Sequence, residues 1–371
     1  MGTPDGETVL PSFCMLELSI HADDIVYVFM RNCVRFYVTI MTEKLEGEGE
    51  VLQEFNSFKD DLDDPDNMFC FEEWILSALD DFMHEAAPTP PPGSRKPITL
   101  LEYFSPPTFA FKLVNKEGKL CAVQEDYNPA THGDTSPRTR IVDSLPDSES
   151  KRLRSSSAEA TLPSRCIPTE GAILRSALPS VPLISASELE RIDDGLRNEE
   201  LSDIPNKVKR VRTGEVFFFK AGFRDHGHLR EMEILSQIER SGKFGPPFRT
   251  SRLVGLVVWG DDDASLMGFL LEYIEGETLA SRMGEVSMAT RMRWVHQVEA
   301  TVKRLHQVGI VWGDVKPDNV IINAEGDAVV VDFGGGYTPE YIEPELQQTF
   351  HGDLIGLNQM AAEMGVRYKS T

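Results

Sequence analysis

The sequence lacks the features of a membrane-spanning, secreted or disulfide-stabilised protein. Its 371 residues contain five cysteines, which are widely spread and form no C-x-x-C pair, so neither a disulfide framework nor a zinc site is expected. The longest apolar runs, such as residues 25–30, are far shorter than the roughly 20 residues that a membrane-spanning helix needs. The N-terminal segment MGTPDGETVL has no basic start and no apolar stretch, which argues against secretion. We therefore expect a cytoplasmic protein, with a nuclear location as the alternative, and no membrane partner.

Positive charge is also scarce, and most of the imbalance lies near the N-terminus. The chain has 60 Asp and Glu against 37 Lys and Arg, a formal net charge of −23. Residues 1–90 alone contain 20 acidic and 4 basic side chains. Because such a surface repels phosphate backbones, nucleic acid is not expected as a partner. A solvated acidic face is the simplest interpretation of this charge.

Composition divides the chain into three regions. Residues 1–127 are predicted to form an acidic α+β domain of unknown role. It has a strand pair at IVYVFM and CVRFYVTI, an amphipathic helix over 71–83 and a hairpin around 115–118. Residues 128–180 are rich in Ser, Pro and charge and poor in large apolar side chains, which predicts a disordered linker. Residues 181–371 form the third region, which is globular again.

The third region alternates strand and helix patterns. Strands are predicted at VKRVR, EVFFFK, SRLVGLVVWG and SLMGFLLEYIEG, with a hairpin turn at 213–214 between the first two. Apolar residues at helical spacing predict helices over 228–240 and 289–308. VIIN and AVVVDF, separated by a turn at 324–327, predict a further hairpin. The region is therefore expected to be α+β.

The strongest group of candidate catalytic residues lies in the stretch IVWGDVKPDNVIINAEGDAVVVDFGGG. Asp314, Lys316 and Asn319 share one short loop, in which Pro317 disfavours a regular helix. The hairpin that follows returns Asp332 to the same loop. Carboxylate and amide oxygens suit Mg²⁺ bound together with substrate phosphates. A further carboxylate remains to orient a hydroxyl, and a lysine to balance phosphoryl charge, so the stretch predicts phosphoryl transfer.

This stretch resembles the catalytic loop and the D-F-G motif of protein kinases. The resemblance implies that Asp314 is the catalytic base and that Lys316 contacts the transferred phosphate. It also implies that Asn319 and Asp332 are the metal ligands. Lysine two residues after the aspartate is typical of protein kinases and is usually missing from small-molecule kinases such as aminoglycoside phosphotransferases.

Motifs before and after this stretch follow the order found in kinases. Lys220 ends the predicted strand EVFFFK, where the kinase lysine that holds the ATP phosphates is expected. Glu231 lies on the inward face of the next helix and is the predicted ion-pair partner of Lys220, against the alternative that it is a surface charge. LLEYIEG resembles the kinase hinge, which implies that the backbone from Glu272 to Ile274 contacts adenine and that Leu271 is the gatekeeper. Asp353 resembles the aspartate that braces the catalytic loop, although a helix N-cap is an alternative role.

Four features depart from the kinase pattern. No G-x-G-x-x-G precedes Lys220, so basic residues such as Lys207, Lys209 or Arg210 are candidates to replace that phosphate cradle. Trp312 and Gly313 occupy the His and Arg positions of H-R-D, which argues against control through an Arg–phosphate pair. The segment from 332 to 345 has only 14 residues, and the sequence ends about one helix after Asp353.

The resemblance covers residues 181–371 and implies a bilobal kinase-like domain with a truncated C-lobe. ATP and Mg²⁺ are the implied cofactors, and a protein Ser or Thr hydroxyl is the expected acceptor of the γ-phosphate. The alternatives are a pseudokinase or nucleotide-binding scaffold, which binds without transfer, and a small-molecule kinase.

Overall fold

The computed structural model divides into two units, each with its own core. The first comprises Met1–Ser136 and Arg191–Pro205, and the second Pro137–Glu190 and Asn206–Thr371. The structure describes residues 13–21, 24–89, 96–132, 138–142, 172–175, 178, 180–193, 200, 203–222, 226–260, 262–336, 338–339 and 341–367. None of the helices in these ranges is long and apolar enough to cross a membrane.

The first unit is a five-stranded sheet with helices inserted between its third and fourth strands. Its elements are β1 (Cys14–Ile20), β2 (Asp24–Arg31), β3 (Val34–Met41), α1 (Thr42–Leu45), α2 (Val51–Lys59), α3 (Pro65–Ser77), α4 (Asp80–Ala86), α5 (Leu100–Phe104), β4 (Thr108–Lys116), β5 (Lys119–Glu125) and α6 (Pro129–His132). The strand order is β1-β2-β3-β4-β5. β3 and β4 pair in parallel and the other neighbours are antiparallel. A parallel pair needs a long crossover, which α1 to α5 supply.

The core of this unit is largely aromatic. Phe29 and Phe36 on β2 and β3 stack with ring centroids 5.0 Å apart, and Phe71 of α3 is fully buried in the same cluster. The helix predicted over 71–83 is instead two helices, α3 and α4. The amides of Ala78 and Leu79 donate to carbonyls three residues earlier, as in a 3-10 helix. This tighter turn ends α3 before α4 begins.

The second unit is bilobal and contains the candidate site. Its elements are β6 (Thr139–Val142), β7 (Ala172–Leu174), β8 (Leu183–Ser185), β9 (Leu189–Arg191), β10 (Lys207–Arg210), β11 (Val216–Ala221), α7 (His226–Ser241), β12 (Leu253–Trp259), β13 (Asp262–Glu272), β14 (Gly276–Thr278), α8 (Leu279–Arg282), α9 (Met288–Gln307), β15 (Val320–Asn323), β16 (Ala328–Val330) and α10 (Phe350–Glu363). One lobe holds α7 and a sheet of eight described strands, ordered β7-β6-β13-β11-β10-β9 with β12 beside β13 and β8. The other lobe holds α8 to α10 and the small sheet β14-β15-β16.

The predicted α+β fold and its main elements are confirmed. β10 and β11 form the expected antiparallel hairpin, with Gly214 at φ 71° in its turn. Helices α7 and α9 agree with the predicted 228–240 and 289–308 to within two residues at either end. The linker predicted at 128–180 differs near its ends, because β6 pairs with both β13 and β7. Residues 143–171, the centre of that linker, lie outside the described residues.

Helix α9 supports the hairpin that returns the chain to the site. The indole of Trp294 donates to the carbonyl of Gly326 at 2.8 Å. The side chain of Gln297 donates to Asp327 at 2.8 Å and accepts from the amide of Ala328 at 2.9 Å. These bonds satisfy polar groups of the turn between β15 and β16, so the hairpin is fixed on the helix.

Candidate functional site

Lys220 and Glu231 form a buried ion pair between strand β11 and helix α7. The Lys220 Nζ lies 2.7 Å from Glu231 Oε2, and Glu231 is fully buried. Burial acts to lower the pKa of Lys220, but the carboxylates of Glu231 and Asp332 prevail and raise it above its usual value. The ammonium therefore stays charged, as a phosphate-binding lysine must. Neither Glu231 nor Glu233 is a surface charge, because both are buried.

Asp332 lies beside this pair in a strained backbone conformation. Its Oδ1 is 3.4 Å from Lys220 Nζ, and it also accepts the amide of Gly334 at 3.3 Å. The φ of Asp332 is 59°, a left-handed value that non-glycine residues rarely adopt. The side chain is 44% exposed. The carboxylate is therefore fixed at its base and open to a ligand on one side.

The three candidate residues of the loop, Asp314, Lys316 and Asn319, contact one another. A short 3-10 helix, Pro317–Asn319, turns the loop so that the Asn319 amide reaches Asp314. Asn319 Nδ2 donates to the carbonyl of Asp314 at 2.9 Å and to its Oδ2 at 3.0 Å. Lys316 Nζ lies 2.8 Å from the same carboxylate. Asp314 is thus held in one orientation by an amide and an ammonium.

Thr338 is a site residue that the sequence patterns did not single out. Its hydroxyl donates to Asp314 Oδ1 at 3.0 Å and accepts from Lys316 Nζ at 3.3 Å. The hydroxyl therefore links the two candidate catalytic side chains. The sequence offered one indication of Thr338 as a candidate, because it is the only Ser or Thr between residues 333 and 345.

Asp353 of α10 binds the backbone of the loop that contains Asp314. Its carboxylate accepts the amides of Trp312 at 2.9 Å and Gly313 at 2.8 Å, and it lies 2.8 Å from His306 Nε2. The residue is 2% exposed, so these bonds replace water around a buried charge. The Trp312 indole donates to the carbonyl of Asp332 at 3.1 Å and so ties the loop to the D-F-G segment.

The segment predicted to be the hinge lies at the end of β13. Leu271 is buried, and the amide of Glu272 donates to the carbonyl of Arg252 at 3.0 Å. The side chain of Glu272 is exposed and Ile274 is half-buried. The Glu272 amide is therefore already paired within the protein.

The basic residues of β10 differ in their availability to replace a glycine-rich loop. Lys209 lies 3.4 Å from Glu190, and Arg210 lies 3.7 Å from Glu188. Lys207 Nζ lies over the ring of Tyr273, 4.5 Å from its centroid. Lys207 therefore contacts the predicted hinge segment through Tyr273.

The donor atoms at the site fit Mg²⁺ bound together with phosphates. Within the described ranges, no three His, Cys, Asp or Glu side chains are arranged to hold a metal by themselves. The candidate ligands are one carboxylate and one amide, Asp332 and Asn319. The NH₂ group of Asn319 is used by Asp314, so its amide oxygen is the atom that would coordinate. Magnesium sites typically combine one or two such ligands with substrate phosphates and water.

Comparisons with known proteins agree with this geometry. A family model described as the protein kinase domain matches residues 208–353. Mitogen-activated protein kinase kinase 7 of Arabidopsis thaliana is 29% identical over 163 residues, which are 41% of this chain and 48% of that protein. KEOPS complex subunit Bud32 of Pyrococcus abyssi is 34% identical over 150 residues, 38% of this chain and 61% of that protein.

A third relative is shorter in its match. The cAMP-dependent protein kinase catalytic subunit PRKX of Homo sapiens is 29% identical over 112 residues, 26% of this chain and 31% of that protein. Each match therefore spans less than two thirds of the relative's length. The matched segment contains Lys220, Glu231 and the whole Asp314 loop. Together, the fold, the arrangement of these side chains and the family match show that the chain contains a domain of the protein-kinase-like superfamily.

Proposed function

We propose that the second unit transfers the γ-phosphoryl group of ATP to a hydroxyl group in a Mg²⁺-dependent reaction. The observation that carries this proposal is the joint placement of Asp314, Lys316 and Asn319 on one loop. Asp332 and the Lys220–Glu231 pair face the same centre. The match to the protein kinase domain and the names of two relatives, which describe protein kinases, support the reaction class.

The chain's own groups have distinct roles in the proposed reaction. Lys220 binds the phosphates of the nucleotide that stay behind, and Glu231 holds the ammonium in place. Asp314 orients the acceptor hydroxyl and takes its proton as the new O–P bond forms and the bond from the γ-phosphorus to the bridging oxygen breaks. Lys316 lies beside that carboxylate and balances charge on the phosphoryl group. When bound through Asn319 and Asp332, Mg²⁺ would neutralise phosphate charge.

We propose a protein Ser or Thr side chain as the acceptor. Lys316 two residues after Asp314 is the protein-kinase arrangement, and the names of two relatives describe protein kinases. Lys316 also lies beside the candidate catalytic carboxylate, both directly and through Thr338.

The test is phosphate transfer by Asp314→Asn beside a matched control. This change keeps the size of the side chain and removes the base, so transfer from labelled Mg-ATP to general protein substrates is expected to fall by about 10² to 10⁴ fold. Asp318→Asn is the control, because Asp318 lies on the same loop and is exposed. Equal transfer by Asp314→Asn and wild type would overturn the assignment.

Two alternatives predict other outcomes of the same assay. A nucleotide-binding scaffold, which the absence of a G-x-G-x-x-G motif favours, binds Mg-ATP without transferring phosphate. A small-molecule kinase phosphorylates metabolite hydroxyls and leaves proteins unmodified. Adding a mixture of small hydroxyl compounds to the assay distinguishes these cases.

A further inference from the structure

Arg230, the residue directly before Glu231 on helix α7, contacts backbone groups of the candidate site. Its guanidinium donates to the carbonyl of Val311 at 2.9 Å and to that of Trp312 at 3.2 Å. It also donates to the carbonyl of Phe333 in the D-F-G segment. One side chain therefore joins helix α7, the catalytic loop and the D-F-G segment.

The peptide groups of Phe333 are held on both sides by consecutive residues of α7. Glu231 Oε1 accepts the Phe333 amide at 3.4 Å, while Arg230 donates to the Phe333 carbonyl. Because the other carboxylate oxygen of Glu231 binds Lys220, any displacement of α7 would disturb both the lysine and the D-F-G backbone. The helix and the segment are thus fixed together by charged hydrogen bonds, which are stronger than neutral ones.

Gly313 explains why the usual H-R-D arginine is missing. Its φ is 98°, and a Cβ added there would lie 3.0 Å from Arg230 Nη2. A larger side chain at 313 would therefore need the space that the Arg230 guanidinium occupies. The glycine at 313 therefore leaves room for the arginine at 230.

The surroundings of Arg230 are suited to a permanent contact. Burial lowers the pKa of its guanidinium, and the carboxylates of Asp353 and Glu231 oppose that shift. An arginine remains charged at physiological pH. Thr338, the only Ser or Thr in the segment 333–345, is already bonded to Asp314. A phosphate on Thr338 would place added negative charge against that carboxylate, so phosphorylation there would disrupt the site.

We propose that Arg230 is a positioning residue that locks α7, the catalytic loop and the D-F-G segment together, so that the site is assembled without phosphorylation of residues 333–345. The consequence for catalysis rests on the proposed phosphotransfer. The lock itself is a property of the fold and can be measured without turnover.

The first measurement is hydrogen exchange of backbone amides in wild type and in Arg230→Met. The variant keeps the length and apolar stem of the side chain and removes the donors. Amides at 311–313 and 333–335 are expected to exchange at least tenfold faster, with those of α9 unchanged. Arg240→Met, an exposed arginine on the same helix, is the control. Unchanged exchange at 311–313 and 333–335 would overturn the lock, and uniformly faster exchange would show a general loss of stability instead.

The second measurement separates regulation from chemistry. Wild-type protein is treated with phosphatase, its lack of phosphate is verified by intact mass, and its transfer rate is compared with that of untreated protein. An unchanged rate is expected, and a loss of more than tenfold would overturn the proposal while leaving the proposed function intact. Arg230→Met is expected to lower kcat by about 10² fold and to raise the KM for ATP, because Lys220 depends on α7 through Glu231. Arg230→Lys, which can reach one carbonyl, should recover part of that loss.

If wild type transfers no phosphate under any condition, the proposed function fails and the exchange comparison still decides the lock. If Arg230→Met does not fold, Gly313→Ala tests the same contact from the other side, because its Cβ would press on the guanidinium. Normal exchange and normal transfer in Gly313→Ala would then count against the proposal.

Discussion

At the scale of single residues, hydrogen bonds and ion pairs compensate several of the buried charges. Asp353 accepts two amides and lies beside His306, and Glu231 lies beside an ammonium. The first unit contains a similar arrangement in Tyr27, which is fully buried and donates to Glu72 Oε1 at 2.6 Å. Burial raises the pKa of Glu72, and the bond from Tyr27 opposes that shift.

Replacing Tyr27 by Phe is expected to destabilise the first unit in a pH-dependent way. The Glu72 carboxylate loses its donor, and its pKa in the folded state rises further above the unfolded value. The folded state then binds the proton more tightly, so the variant gains stability relative to wild type as the pH falls. In urea unfolding, the free energy of unfolding of the variant should be about 1 kcal/mol lower than that of wild type at pH 8, and the difference should be smaller at pH 5.

Ser57→Ala, an exposed hydroxyl change in the same unit, is the control for this comparison. A deficit of equal size at both pH values would show that the ionised carboxylate is not responsible.

Some site residues follow from sequence and others need the folded chain. Lys220 and Glu231 could be predicted because the periodicity of a strand and of an amphipathic helix indicates on which face each side chain lies. Asp332 could be predicted because a short hairpin returns the chain to its start. Arg230 could not, since periodicity places it off the inward stripe of α7, and only the folded catalytic loop supplies the carbonyls that it binds.

At the scale of elements, the small sheet β14-β15-β16 depends on close backbone contact. Gly276 pairs with Asn323, and a Cβ added at 276 would lie 2.1 Å from the carbonyl oxygen of Ile322. No side chain fits there without moving the strand. This sheet leads from the hinge to the catalytic loop, so its register affects both.

Gly276→Ala is therefore expected to destabilise the second unit by about 1–3 kcal/mol. For a unit of this size, that corresponds to a fall in Tm of roughly 3–10 °C in a thermal unfolding experiment. Gly284→Ala is the matched control, since a Cβ at Gly284 meets no atom within 4 Å. A Gly276→Ala protein with the Tm of wild type would show that the strand can shift without loss.

Strands and hairpins could be predicted where a local sequence pattern determines them. Strand pairing could not be predicted where the two strands are distant in the sequence. The hairpins β4–β5 and β10–β11 follow from turn residues between alternating runs. The parallel pairing of β3 with β4 could not be predicted, because their ends are separated by five helices. β6 was missed since four residues in a polar segment carry too little pattern, and its strand character comes from pairing with β13.

At the scale of the whole molecule, the chain combines an acidic unit with a kinase-like unit. Two units with separate cores can unfold in separate steps. The candidate site is composed entirely of residues of the second unit.

Mg-ATP is therefore expected to stabilise the second unit alone. At a concentration 100 times its Kd, a ligand that binds only the folded state adds about 2.7 kcal/mol, a shift of several degrees in Tm. Calorimetry with and without Mg-ATP should show one transition moving and the other fixed. Asp332→Asn should reduce the Mg²⁺-dependent part of that shift.

EDTA provides the corresponding control, because it removes the metal and leaves the nucleotide. No shift of either transition at millimolar Mg-ATP would count against nucleotide binding, and a shift of both would show that the units are coupled.

The bonds from Asp353 have a consequence for how the protein is made. The amides of Trp312 and Gly313 find their acceptor 41 and 40 residues later in the chain. During synthesis, when chains fold from the N-terminus as they emerge, the catalytic loop would be exposed before α10 exists. Nascent chains should thus pass through a state in which the eight-stranded sheet of the second unit is formed and the candidate catalytic loop is still open. The ribosome must release α10 before the loop can close.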